Sequence, residues 1–171
     1  MARNTISAHA ATGGRGDHDV NTRSRLLIAI VTLSLLGLGI ASYLTYVHYN
    51  EAALVCTTGG CETVQQSTYS TIGPAPIALL GMGMFLSLIT LAGLRLNGSS
   101  IVRAETASLV AWAMLLTGIL YYVYLTYVEL FILNAICQWC VASSLVAAAI
   151  FALETVYLWR TVMADDAMET D

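Results

Sequence analysis

Four long apolar blocks, each free of Asp, Glu, Lys and Arg, alternate with short polar joints along this chain: Leu26–Asn50, Thr63–Leu94, Thr106–Val128 and Leu130–Leu153. A helix of about 20 apolar residues crosses a bilayer core, so each block predicts a transmembrane helix, TM1 to TM4. The second block is longer than one span needs, and Gly73-Pro74-Ala75-Pro76 interrupts it. Proline cannot continue an upstream helix and Gly-Pro marks a turn. TM2 is therefore expected to start near Pro74–Pro76, leaving Glu62–Thr71 as an extramembrane loop or short surface helix. The first block exceeds the apolar core of a signal peptide and no Ala-x-Ala site follows it, so it reads as a retained helix.

Outside the blocks, polar Met1–Ser24, with Gly13-Gly14-Arg15-Gly16, and acidic Asp165–Asp171 read as disordered tails. The expected organisation is a tail at 1–24, an all-α membrane domain of four helices at 25–160, and an acidic tail at 161–171. Composition agrees: hydrophobic residues make up 57% and charged ones 11%, with a mean hydropathy of +0.72. A water-soluble domain of that composition has too little polar surface to cover itself. The acidic carboxyl end accounts for the net charge of −4 without an acidic functional site.

The seven basic residues are all arginine: Arg3, Arg15, Arg23, Arg25, Arg95, Arg103 and Arg160. They fall in the two tails and the TM2–TM3 connection, while the TM1–TM2 and TM3–TM4 connections hold none. Basic residues stay on the cytoplasmic side, so both termini are expected in the cytoplasm and both arginine-free connections outside it.

Those outer connections carry the four cysteines, Cys56 and Cys61 in one loop, Cys137 and Cys140 at the start of TM4. An extracytoplasmic face permits disulfides. Four cysteines allow three pairings; two local pairs are the simplest, with exchange between pairs as the chemistry. Cys137 and Cys140, three residues apart, share a helix face, and the unpaired N–H groups of a helix start lower a thiol pKa. Cys137, nearer water, is expected to exchange, and Cys140, one turn deeper, to meet an oxidant dissolved in the membrane. Gly59-Gly60 leaves the Cys56–Cys61 link free to close a disulfide and to swing it. Thiolate attack through mixed disulfides could then pass electrons from a soluble protein to the loop and on to Cys137. Two inert disulfides stapling outer loops, or a four-cysteine zinc site, remain alternatives.

With four spans, a C-x4-C loop after TM1 and Cys137-Gln138-Trp139-Cys140 opening TM4, the chain resembles the vitamin K epoxide reductase family and its bacterial homologues over about Arg25–Arg160. Cys61-x5-Ser67-x-Tyr69 matches a family serine six residues after the second loop cysteine, and Pro76-Ile77-Ala78-Leu79-Leu80-Gly81 with Phe85 resembles the prokaryotic TM2. The resemblance implies a four-helix bundle around a quinone, menaquinone or ubiquinone, capped by the extracytoplasmic TM1–TM2 loop. It implies Cys137 and Cys140 as the active pair, Cys56 and Cys61 as the shuttle pair, and Ser67, Val64, Leu80 and Phe85 as quinone contacts. The implied partner is a separate thioredoxin-fold (DsbA-like) extracytoplasmic protein that makes disulfides in exported proteins. Ile77 stands where the animal enzymes have an asparagine, and Ser144 where they have a tyrosine. Those departures favour a prokaryotic thiol:quinone oxidoreductase over a vitamin K quinone or epoxide reductase; a non-enzymatic tetraspan protein is the third reading.

The remaining polar residues carry weaker expectations. His48 could assist proton transfer, although an interfacial place is the commoner role, and Tyr43, Tyr46 and Tyr49 read as interface anchors. Of Tyr121, Tyr122, Tyr124 and Tyr127, some could border a quinone, with packing the simpler reading. Glu129 and Glu154 lie near span ends, with no burial at the membrane centre and no proton path expected. Gly37, Gly39, Gly81 and Gly83 are expected to let helices approach closely.

Overall fold

The computed structural model describes the backbone of residues 4–50, 53–57, 59–97 and 104–169, and the side chains of 21–50, 53–57, 59–97 and 105–161. The tail expectations, and those for Arg3, Arg15 and Arg103, fall wholly or partly outside those residues. Among the described residues five α-helices follow one another: α1 (Asn4–Tyr49), α2 (Cys61–Gln65), α3 (Ile77–Leu96), α4 (Ala104–Val128) and α5 (Gln138–Glu169). Four stretches are long and apolar enough to cross a membrane: Asn21–Tyr49, Ile77–Leu96, Glu105–Leu133 and Gln138–Thr161. The protein is a multi-pass, all-α membrane bundle.

Each span buries one seam at alternating three- and four-residue steps, the period at which side chains return to one helix face. On α1 the buried seam includes Leu27, Ile30, Ser34, Ala41 and Leu44; on α3 it runs Phe85, Leu88 and Ala92; on α5, Ser143, Ala147, Ile150, Glu154 and Tyr157. The faces left exposed, with Leu35, Leu36, Leu86, Leu120 and Leu145, suit lipid. Helix α1 packs on α3 and α5, and α4 packs on α5 and α3. Gly37 makes the α1–α3 approach possible, since a Cβ there would lie 2.4 Å from Cε1 of Phe85.

Two corrections to the sequence reading concern charge. Arg95 continues the Phe85–Leu88–Ala92 seam by one step and so turns inward, where its Nη1 donates to Glu154 at 2.6 Å. Both side chains are almost wholly buried, at 3% and 0% exposure. Glu154 is therefore a buried partner for a cation, not a free carboxylate near a span end. Arg95 also donates to the Ala107 carbonyl at 3.2 Å and lies 5.4 Å from the Tyr157 ring centre, tying α3 to α4 and α5.

The TM1–TM2 connection is compact. Helix α2 is followed by a 3₁₀ turn (Thr68–Ser70) and a two-residue hairpin pairing β1 (Thr71–Ile72) with β2 (Ala75–Pro76). Gly73 takes φ 62° in its turn, a conformation that favours glycine at the first hairpin position. Pro76 then precedes α3, as the prolines predicted.

Candidate functional site

The site lies at the end of the bundle closed by the TM1–TM2 connection. Helix α4 does not stop cleanly: Glu129–Leu133 form a widened π turn, Asn134 closes it in the left-handed conformation (φ 49°), and the Asn134 and Ala135 amides both donate to the Glu129 carbonyl. The chain then crosses to α5 in four residues, Asn134 to Cys137, so the C-x-x-C sits at the helix start. The Cys137 carbonyl accepts from the Val141 amide at 3.1 Å, making Cys137 the residue that opens α5.

The connection folds over this corner and is held there by aromatic and polar contacts. The Tyr43 hydroxyl donates to the Ala53 carbonyl at 3.2 Å and accepts from the Val55 amide at 2.9 Å. The Trp139 indole donates to the Val55 carbonyl at 2.9 Å and packs against Tyr43 with ring centres 4.8 Å apart. The amide and hydroxyl of Thr57 both donate to the side-chain Oε1 of Gln138. Gly60 seats directly on the crossing, because a Cβ there would lie 2.6 Å from the backbone N and O of Ile136.

Cys56 and Cys61 form a disulfide, with Cα atoms 6.0 Å apart, while Cys137 and Cys140 are free thiols. The connection brings the pairs together: Cys61, Val64 and Cys137 form one buried cluster, with Cys56 and Cys140 packed on it. Cys61 and Cys137 are both 0% exposed. The expectation that Cys137 lies nearer water than Cys140 is therefore corrected, because the loop that carries Cys61 covers it. Its thiol is nonetheless more acidic than usual. The hydrogen bond from the Cys140 side chain is the chief cause, aided by the Cys140 and Trp139 amides and opposed by burial and the Glu129 charge.

Cys140 faces the other way, into a cavity of about 410 Å³ lined by α1, the loop, α3, α4 and α5. Its walls are mainly apolar, from Ala41, Leu44, Val64, Ile77, Leu80, Met84, Met114 and Leu125, with hydroxyls from Ser67, Tyr121 and Tyr122. Such a volume and lining suit a flat organic ring with a few polar atoms. Of the expected quinone contacts, Val64, Ser67 and Leu80 line this cavity and Phe85 does not. Phe85 is fully buried in the bundle core, where its ring fills the space beside Gly37. Ser67 donates its hydroxyl to the Val64 carbonyl at 2.7 Å. Tyr122 and Ser143 share a 2.7 Å hydrogen bond on the wall beside Cys140. His48 lies on a separate polar groove with Glu62 and Gln66.

Glu129, for which the sequence suggested a place near a span end and no proton path, stands in the site. It is 5% exposed, lines the cavity together with Cys140, and accepts a hydrogen bond from the Cys137 amide at 3.4 Å. Periodicity carried a signal for it: Ala111, Leu115, Gly118, Tyr122, Leu125 and Glu129 follow one another at steps of four and three, so Glu129 falls on the inward face of α4.

A family model described as the Vitamin K epoxide reductase family matches residues 28–155. The chain belongs to the vitamin K epoxide reductase family. The match takes in both cysteine pairs, the middle two spans and most of the first and last, and this family consists of membrane oxidoreductases that act with quinones. As a vitamin K epoxide reductase family member, the protein is a membrane oxidoreductase of the thiol and quinone type, and the cavity at Cys140 is of a size and polarity that fits a quinone ring.

Proposed function

We propose that this protein oxidises the dithiol of a separate extracytoplasmic thioredoxin-fold protein and passes the two electrons to a membrane quinone, menaquinone or ubiquinone, thereby supporting disulfide formation in exported proteins. One observation carries the reading: a loop disulfide and a free C-x-x-C pair are packed together under one cap, with one member of the free pair opening onto an apolar cavity.

The relay follows from burial. Cys56 is half-buried between exposed Val55 and Thr57 and is the loop sulfur a partner thiolate can attack. Cys61, buried against Cys137, exchanges inward. Each exchange forms one S–S bond and breaks another, leaving Cys137 and Cys140 as the dithiol. Formation of the Cys137–Cys140 disulfide then delivers two electrons to a quinone in the cavity, and hydroquinone leaves. The absence of arginine from both outer connections supports cysteines outside the cytoplasm and termini within it.

Ile77 on the cavity wall offers no polar contact, and the Ser144 hydroxyl donates to the Val141 carbonyl at 2.8 Å. Neither position supplies the amide or phenol of the animal enzymes, which supports quinone reduction over epoxide reduction. The test is quinone reduction by purified protein in detergent, driven by a reduced thioredoxin-fold dithiol protein, beside Cys140→Ser and Cys61→Ala. Both variants are expected to stop net turnover. Normal turnover in either refutes the relay, and turnover of an epoxide by wild type would favour the animal-type activity.

A further inference from the structure

Reduction of a quinone by a dithiol needs protons as well as electrons, and the cavity holds one carboxyl placed to move one. Glu129 is buried, borders the cavity into which Cys140 opens, and accepts a hydrogen bond from the Cys137 amide, so one wall of the cavity holds it with the free pair. Its position is built by the backbone: the π turn and the left-handed Asn134 bind the Asn134 and Ala135 amides to the Glu129 carbonyl, which fixes the residue at the point where α4 gives way to the crossing. Burying a carboxyl is costly unless it is paired. Glu154, the other buried glutamate, has Arg95. Glu129 makes no ion pair among the described residues; its neighbours are the groups that react.

We propose that Glu129 is a catalytic residue, the proton carrier of the quinone half-reaction. The inference rests on the thiol:quinone reading above. As the Cys137–Cys140 bond forms, the S–H bond of Cys140 breaks and Glu129 takes that proton. The two sulfur electrons enter the quinone, and Glu129 passes its proton to one quinone oxygen. Cys137 reacts as the thiolate, so the second hydroquinone proton comes from water. The balance is one thiolate, one thiol, one quinone and one proton giving one disulfide and one hydroquinone. Glu129 ends each cycle in the state in which it began.

The test uses the full-length protein in detergent and reads the two half-reactions separately in wild type, E129Q and E129D. Fully reduced protein is mixed with a short-chain quinone and single-turnover hydroquinone formation is followed. In parallel, oxidised protein is mixed with a thioredoxin-fold dithiol protein and loop-disulfide exchange is followed. Gln keeps an oxygen that can accept from the Cys137 amide, so E129Q preserves the fold while losing the exchangeable proton. General acid–base groups contribute about a hundredfold or more. Hydroquinone formation is expected to fall by about that factor in E129Q, with E129D between it and wild type, while loop exchange stays within about threefold of wild type. Equal hydroquinone rates in wild type and E129Q overturn the assignment, as does an equal loss in both half-reactions, which would make Glu129 structural. If E129Q does not fold, E129D decides alone: a selective loss of the quinone step upholds the role and a uniform loss or none overturns it. A wild type that reduces no quinone overturns the parent reading, and the role of Glu129 with it.

Discussion

Replacing Gly60 by alanine tests whether contact between the two cysteine pairs depends on the cap seating flush on the α4–α5 crossing. The new Cβ would lie 2.6 Å from the backbone N and O of Ile136 and 3.2 Å from the Ala135 carbonyl carbon. Backbone atoms cannot swing aside as a side-chain tip can, so either the crossing or the cap must move. Overpacking of this kind costs about 1–3 kcal/mol. The cap is the cheaper element to lift, because its displacement leaves the bundle seams intact. If the cost falls on cap closure, the closing equilibrium constant drops by roughly 5- to 150-fold at 1.4 kcal/mol per decade, and the open fraction of a mainly closed cap rises by that factor. Alkylation of buried Cys137, which needs the open cap, should speed up by a similar factor. The assay is time-resolved maleimide labelling of Cys137 in detergent, beside Gly83→Ala. Gly83 lies in α3 with nothing within 4 Å of a new Cβ, so that variant should match wild type. A Gly60→Ala protein in which Cys137 stays as protected as in wild type would refute the reasoning.

Other predictions test single contacts. Glu154→Leu should destabilise the bundle by about 3–5 kcal/mol by stranding buried Arg95, and adding Arg95→Met should recover much of the loss; thermal unfolding in detergent measures both. Trp139→Phe removes the 2.9 Å bond to the Val55 carbonyl, and should cost about 1–3 kcal/mol of cap closure, read as faster Cys137 labelling. The Cys137 thiol is held below its ordinary range chiefly by the Cys140 hydrogen bond. As for any acid with a depressed folded value, the thiolate persists below the ordinary thiol range and is lost as pH falls through the depressed value. Cys140→Ala should therefore move the thiolate ultraviolet titration of Cys137 to higher pH, and an unmoved titration would contradict this cause.

Much of the fold was legible because its signals are local. A span announces itself by length without charge, and Gly73-Pro74-Ala75-Pro76 marked the start of α3 to within a residue or so. The neighbourhood of the two cysteine pairs was legible as far as connectivity goes, since the TM1–TM2 and TM3–TM4 joints must meet at one end of a four-span bundle. What a linear reading missed were contacts between elements. Cys137 looked nearer water than Cys140 because it opens a helix, yet the loop that covers it is some eighty residues earlier in the chain. Phe85 carried a family position into the wrong environment, because a ring one seam step too deep packs against Gly37 instead of facing the cavity.

The two buried glutamates show why charge near a span end misleads when periodicity is set aside. Glu154 follows Ala147 and Ile150 on the α5 seam, Glu129 follows Tyr122 and Leu125 on the α4 face, and both turn inward for the same geometric reason. Their surroundings then separate them. Arg95 arrives on the α3 seam opposite Glu154 and makes that carboxylate a clasp between helices far along the bundle from the cysteines. At the capped end no arginine among the described residues pairs with Glu129, and two thiols and an apolar cavity stand in its place. A neutralised pair can only hold helices together, whereas a lone buried carboxyl beside a thiol can accept a proton and give it back.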